Sequence, residues 1–162
     1  MKALSLVATM MLACSQPSPE ESNMQPMPRK TRAPTPEPER STTTFPTELP
    51  SDLPLVIDRA SLDRGVGQDV IVRGTYVETV MSARPDALPT GHVAVQLADG
   101  LEVLVLVPWH ADALRPKDEV ARLAGKPVAV AGHLAGQIPE QHKGAAQRLM
   151  PCLTTIVALR PE

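Results

Sequence analysis

The side chains able to do chemistry in this sequence are few and widely spaced: His92, His110, His133 and His142, with Cys14, Cys152 and, close to the second cysteine, Met150. Structural zinc takes four close ligands, commonly as short-spaced pairs, and no Cys or His pair here has that spacing. The softest grouping is His142, Met150 and Cys152, where a thioether and a thiolate would favour Cu(I) over harder ions. The plainer reading puts His142 in the polar loop QIPEQHKGAAQR and makes Cys152 a small hydrophobe at the start of a strand, so no metal and no cofactor is expected. Glu102, His110 and Asp112 fall around the end of one apolar run, yet no G-x-S-x-G turn or H-E-x-x-H helix arranges a nucleophile with its base. They read as a solvated rim. Gly65-Val66-Gly67 precedes a strand-like run rather than a helix, so it lacks the N-terminal dipole that a phosphate loop exploits. The chain is therefore expected not to be an enzyme.

The elements that must position these residues begin late in the chain. All nine glycines lie at or after Gly65, whereas ten of the 18 prolines lie between Pro17 and Pro54. From Ser15 to Pro54 the sequence is rich in Pro, Ser, Thr and Glu with no apolar face to bury, which predicts a disordered tether. Beyond Leu55 the hydrophobic period switches to two, the mark of strands with one buried face. Asp69–Met81 alternates Val70, Val72, Tyr76 and Val80 with Arg73, Thr75 and Thr79, with Gly74 placed for a bend. His92–Leu97 and Leu101–Val107 flank Asp99-Gly100, a strong hairpin turn. Pro116 to Ala124 has helical spacing, acidic residues in its first turn and Gly125 to end it. Lys126–Leu134 and Thr154–Leu159 return to period two, the last with Leu153, Thr155, Val157 and Leu159 expected on its core face.

Strand, strand, strand, short helix, strand, strand is the order of a small five-stranded Greek-key barrel, in which closure removes sheet edges. The segments VIVRGTYVETV, AVQLADGLEVLVLV and RLAGKPVAVAGHL resemble an oligonucleotide/oligosaccharide-binding (OB) fold over Val70–Leu159. The resemblance implies an all-β OB-like barrel with its helix between the third and fourth strands. A six-stranded sandwich recruiting Leu55–Asp58 is the competing architecture. Strand parity points Val93, Val95, Leu97, Val103 and Val105 inward and sends Ala94, Gln96, Glu102, Leu104 and Leu106 outward. Gln96, Leu104 and Leu106, flanked by the loops Ser82–Gly91 and Gly136–Met150 with His142, form the candidate binding face. The two leucines are either covered by the second loop or stand exposed as a docking patch.

Sixteen Lys and Arg against 18 Asp and Glu give a net charge of -2, and from Leu55 onward the balance is 11 against 12. With so little positive field and only Phe45, Tyr76 and Trp109 as aromatics, no nucleic-acid partner is expected, since single-strand binders need a cationic groove and stacking platforms.

At the other end, Lys2 precedes an uncharged run from Ala3 to Ala13, the layout of a secretory signal peptide over residues 1–13. Eleven helical residues rise only about 16 Å, too little to span a bilayer. Met11-Leu12-Ala13-Cys14 resembles a bacterial lipobox, with Met11 where leucine is usual and Leu12 where a small residue is usual. The resemblance implies lipid attachment at Cys14 and cleavage just before it, and Ser15 after the cysteine implies sorting to the outer membrane. The domain plan is thus a signal peptide (1–13), a lipidated proline-rich linker (14–54) and an OB-like barrel (55–162). It reads as an envelope lipoprotein, periplasm-facing or surface-exposed, whose barrel binds a protein or a cell-envelope glycan. The alternative is a periplasmic small-molecule or soft-metal module using the loop from Gly136 to Met150. With Cys14 acylated, Cys152 is left either buried or used between chains. Cys14→Ser is expected to abolish metabolic lipid labelling and to move the protein from the membrane to the soluble fraction.

Overall fold

A computed structural model describes residues 38–81, 90–141 and 149–162. Cys14 and the expected signal peptide lie outside them. The described residues form six strands and two helices: β1 Leu55–Val56, α1 Arg59–Gly65, β2 Asp69–Glu78, β3 Val93–Gln96, β4 Glu102–Val105, α2 Lys117–Leu123, β5 Pro127–Ala135 and β6 Cys152–Pro161. Five of the strands close a barrel in the order β2-β3-β4-β6-β5, with β5 returning to β2 and β4 running parallel to β6. This is an OB-like Greek-key barrel, with α2 between its third and fourth strands. β1 adds a two-residue parallel strand on β2 and does not turn the barrel into a sandwich.

Closure depends on β2, which is long enough to serve two neighbours. Asp69–Thr75 pairs with β5 and Thr75–Glu78 with β3. At the changeover a Cβ on Gly74 would stand 2.2 Å from the Gln96 carbonyl oxygen, so only glycine lets the two backbones approach this closely. The barrel interior is filled by Val70, Val72, Tyr76, Val93, Val95, Val103, Val105, Val128, Val130 and Leu153, all buried in one cluster. β-branched side chains predominate because they pack well on a pleated surface.

Helix α1 lies in a stretch the alternation of apolar residues does not announce. Asp58 caps it by accepting the Ser61 amide, while Ser61 Oγ accepts the Asp58 amide, a reciprocal capping box. The Ser61 hydroxyl, donating to Asp58 Oδ1 at 2.6 Å, and then the Ser61 amide hold the Asp58 carboxyl below its ordinary pKa. Leu62 enters the core, and Gly65 packs against Val70, Val56 and Leu134.

Two expected features are corrected. On β6, Leu153 and Leu159 are in the core as expected, but Thr155 and Val157 are exposed, the latter by 51 %. The β5–β6 register slips between Ala131 and Gly132 and again between His133 and Leu134, so strict alternation fails across the bulges. Ile156 packs on the core instead.

The second correction is the domain boundary. The barrel unit begins at Pro36, and residues 38–54, expected to be linker, form an extended strap packed on the barrel. The Ser41 amide donates to the Leu114 carbonyl at 2.9 Å, the Leu159 amide to the Pro46 carbonyl at 2.7 Å and the Ile71 amide to the Pro54 carbonyl at 2.9 Å. Leu49 and Leu53 cover Ile71, Ala129, Ala131 and Ala158 on the outer face of the sheet.

The strap is fastened by a buried charge. Arg115 has no exposed surface, and its Nε and Nη2 donate to the two oxygens of Glu119 at 3.0 and 2.8 Å. Nη1 donates to the Asp112 carbonyl at 3.1 Å, and Nη2 also reaches the Thr43 carbonyl of the strap at 2.6 Å. The guanidinium carbon lies 4.0 Å from the centre of the Phe45 ring. Tyr76 completes the set by donating its hydroxyl to Glu119 at 2.8 Å; burial, with the Glu119 charge second, holds its phenol far above the usual range. Deleting one partner of such a pair strands a buried charge, at a cost of about 3–5 kcal/mol. Arg115→Met should lower the urea-unfolding free energy by about that amount, and limited proteolysis should then cut within residues 41–49 before the barrel unfolds.

Candidate functional site

The outer face of β3 and β4 is filled by the chain's own residues. Leu104 is fully buried against Val107, Ile138 and Cys152, with Met81, Ala135 and Met150 packed around them. Ala94, its register partner on β3, is equally buried. Leu106 is not on this face at all. Its φ of 69° turns the chain at the end of β4 and sends its side chain into the main core, against the parity expected for a regular strand. The reading of Leu104 and Leu106 as an exposed docking patch is therefore corrected: Ile138 and Met150, from the β5–β6 connection, cover one, and backbone geometry inverts the other. His142 lies outside the described residues, as does most of the Ser82–Gly91 loop.

Gln96, the remaining member of the expected face, lines a notch at the place where β2 changes partners. Along one edge β2 pairs with β1 at Ile71 and Val72, then with β3 from Thr75 onward, leaving Arg73 and Gly74 between the two. The far wall is closed where the Ala98 amide donates to the Ile57 carbonyl at 3.2 Å. Pro127 and Glu162 form the other side of a notch of about 360 Å³ that is largely open to solvent. Arg73 Nε stands 2.9 Å from Glu162 Oε1, which ties one end of the wall to the other. The Gln96 amide and Thr75 hydroxyl point to no partner among the described residues. Alternation alone marks Arg73 and Thr75 as outward, but no spacing rule brings Glu162 to them, because that contact depends on the last strand's position in the barrel.

The other polar groups form smaller sets. Asp69 Oδ1 and His133 Nδ1 are 2.9 Å apart across β2 and β5, and Thr155 is the register partner of His133 on β6. This carboxylate–imidazole–hydroxyl row is exposed on the open sheet surface, where water screens it. At the rim, the Asp112 amide donates to His110 Nδ1 at 3.0 Å, and hydrogen bonds from Ser41, then Thr43, hold the Asp112 carboxyl below its ordinary pKa. Glu102 does not join them. It accepts from the Thr79 hydroxyl at 3.0 Å, at the opposite end of β4.

Among the aromatics, Tyr76 is buried and unable to stack on a ligand, whereas Trp109 is 40 % exposed beside His110. The Cys152 thiol is buried, with its sulfur 3.8 Å from the Gln137 carbonyl, and burial pushes its pKa up to about 11. It is a protonated packing residue at neutral pH. No cluster of three or more His, Cys, Asp or Glu among the described residues could hold a metal ion. No helix among them is long and apolar enough to cross a membrane.

No family model matches the chain, and no curated protein matches it significantly. Among solved structures it is similar to a protein described as an aspartyl-tRNA synthetase from Leishmania major Friedlin, at 15 % identity and a TM-score of 0.35. The match covers 76 % of this chain and 22 % of that one.

The contrast between the filled face and the open notch is measurable. Leu104→Ala leaves a cavity and should cost about 2–5 kcal/mol in urea unfolding. Gln96→Ala, on a partly exposed side chain with no partner among the described residues, should stay within about 0.5 kcal/mol of the parent.

Proposed function

We propose that this chain is an envelope lipoprotein whose OB-like barrel serves as a non-enzymatic binding module for a protein or a cell-envelope glycan. The observation that carries this reading is the notch at Gly74, where the Gln96 amide and Thr75 hydroxyl stand without partners among the described residues, beside the Arg73–Glu162 pair. Polar groups open to water cost the fold little and can exchange their water for a ligand's hydrogen bonds. A volume of about 360 Å³ also falls in the range of small-ligand sites, roughly 300–1,000 Å³. The notch replaces the β3–β4 face, which the chain's own side chains occupy. Attachment to the outer membrane rests on the lipobox-like Met11–Cys14 and on Ser15. A nucleic-acid partner is not part of the proposal, because the domain's charge is balanced and Tyr76 is buried.

Placing a photo-crosslinking amino acid at Ala98, on the notch wall, tests this in intact envelopes. A discrete adduct is expected at Ala98 and not at the exposed Val157 on β6. Arg73→Ala combined with Gln96→Ala should remove it while leaving Tm within about 2 °C, as for other changes at exposed positions. Equal labelling at Ala98 and Val157, or an adduct insensitive to the double substitution, would exclude the notch as the binding site.

A further inference from the structure

We infer that residues 38–49 of the strap form a latch that opens as a unit while the barrel stays folded. The strap belongs to no ladder, and the barrel closes in the order β2-β3-β4-β6-β5 without it. Its fastenings follow one another along the chain. Ser41 donates its amide to the Leu114 carbonyl and its hydroxyl to Asp112, Thr43 and Phe45 meet Arg115, Pro46 accepts the Leu159 amide, and Leu49 lies on the outer sheet. Three features keep the closed latch marginal. Arg40 lies against Gly91, where a Cβ would stand 2.9 Å from its guanidinium carbon, and its Nε is buried with no acceptor among the described residues. Its Nη2 is 3.8 Å from Glu78, too far for a hydrogen bond, so opening hydrates a donor that closure leaves unmet. A cavity of about 60 Å³ between Phe45 and Thr47 on one side and Leu123 and Leu159 on the other forfeits packing under the strap. Arg115, finally, keeps both Glu119 oxygens and the Asp112 carbonyl when the strap leaves, and water takes the place of the Thr43 carbonyl. The ion that seats the strap is thus satisfied in both states, and opening strands no charge. A pull from the N-terminal side of residue 38 meets the fastenings one at a time, whereas paired strands share load along whole ladders. The latch therefore yields first, and about a dozen released residues at roughly 3.5 Å each reach about 40 Å. In a chain anchored at its N-terminus this is reserve length for the tether; that use rests on the anchorage proposed above, whereas the latch itself does not.

Native-state hydrogen exchange of the full chain tests the latch without a membrane. The amides of Ser41 and Leu159, which bond across the strap from different elements, are expected to exchange through one shared opening with a common denaturant dependence. That opening should be at least about tenfold more populated than the one that exposes Val130, on the strand paired with both β2 and β6. Phe45→Ala, which removes the ring over Arg115, should speed Ser41 and Leu159 by about tenfold and leave Val130 unchanged. Arg40→Met, which removes the unmet donor, should slow the same two amides by about threefold. Held by its two ends in an optical trap, the chain should lengthen in an early reversible step of at most about 40 Å before the barrel ruptures. Exchange of Leu159 as slow as that of Val130, separate openings for Ser41 and Leu159, or rupture with no earlier step would each overturn the latch. Faster exchange in Arg40→Met would make Arg40 a clasp and overturn the marginal closed state. None of these readouts involves lipid at Cys14 or a ligand in the notch, so failure of the anchorage or of the binding site is detected separately by their own tests.

Discussion

The guanidinium of Arg115 is the constraint around which this barrel is assembled. A charge with no exposed surface is tolerable only when fully paired, and here the partners come from four separate parts of the chain. Glu119 supplies the carboxylate from α2, Tyr76 bonds that carboxylate from β2, Asp112 offers its carbonyl from the loop after β4, and Thr43 and Phe45 come from the strap. Satisfying one ion therefore fixes the end of the barrel, the seat of α2 and the path of the strap together. An apolar replacement for the whole network could be as stable, since buried ion pairs repay their desolvation poorly. The paired version specifies geometry, because a half-made network leaves a naked charge.

With the strap in place, the two faces of the sheet have different fates. Leu49 and Leu53 cover the small-residue surface formed by Ile71, Ala129, Ala131 and Ala158. On the β3–β4 face, Ile138 and Met150 cover Leu104 and Cys152, so a surface that could have received a ligand has become core. What stays open is the seam where β2 passes from one partner to the next. It stays open because Gly74 brings β2 and β3 together at a single point, while Arg73, paired with β5 on one edge, has no strand on the other. The functional proposal follows from that asymmetry in the barrel's closure, not from any arrangement of nucleophile and base.

Period-two alternation, the Asp99-Gly100 turn and the helix between Pro116 and Gly125 are local signals, and they determine the order of elements along the chain that an OB-like barrel has. The inward set Val93, Val95, Val103 and Val105 was legible for the same reason: in a regular strand, parity decides the face. Parity failed at Leu106, where positive φ inverts the side chain, and at Thr155 and Val157, where bulges shift the register. The α1 cap at Asp58 and Ser61 was present in the sequence as a short polar pattern, weaker than the apolar periodicity around it.

Composition described residues 38–54 correctly as proline-rich and poor in apolar side chains, yet only the tertiary structure could show them to be part of the fold. Their order comes from outside the segment, from Arg115 beneath Phe45 and from the Leu114 carbonyl and the Ile71 and Leu159 amides that bond to them. The same holds for the notch. Gln96 could be read from its own strand as outward and polar, but Arg73, Thr75 and Glu162 become its neighbours only when β2 changes partners beside Gly74 and β6 closes beside β5. Local sequence determines which face of a strand a residue takes. Which distant residue shares that face depends on register and closure, which are properties of the assembled sheet.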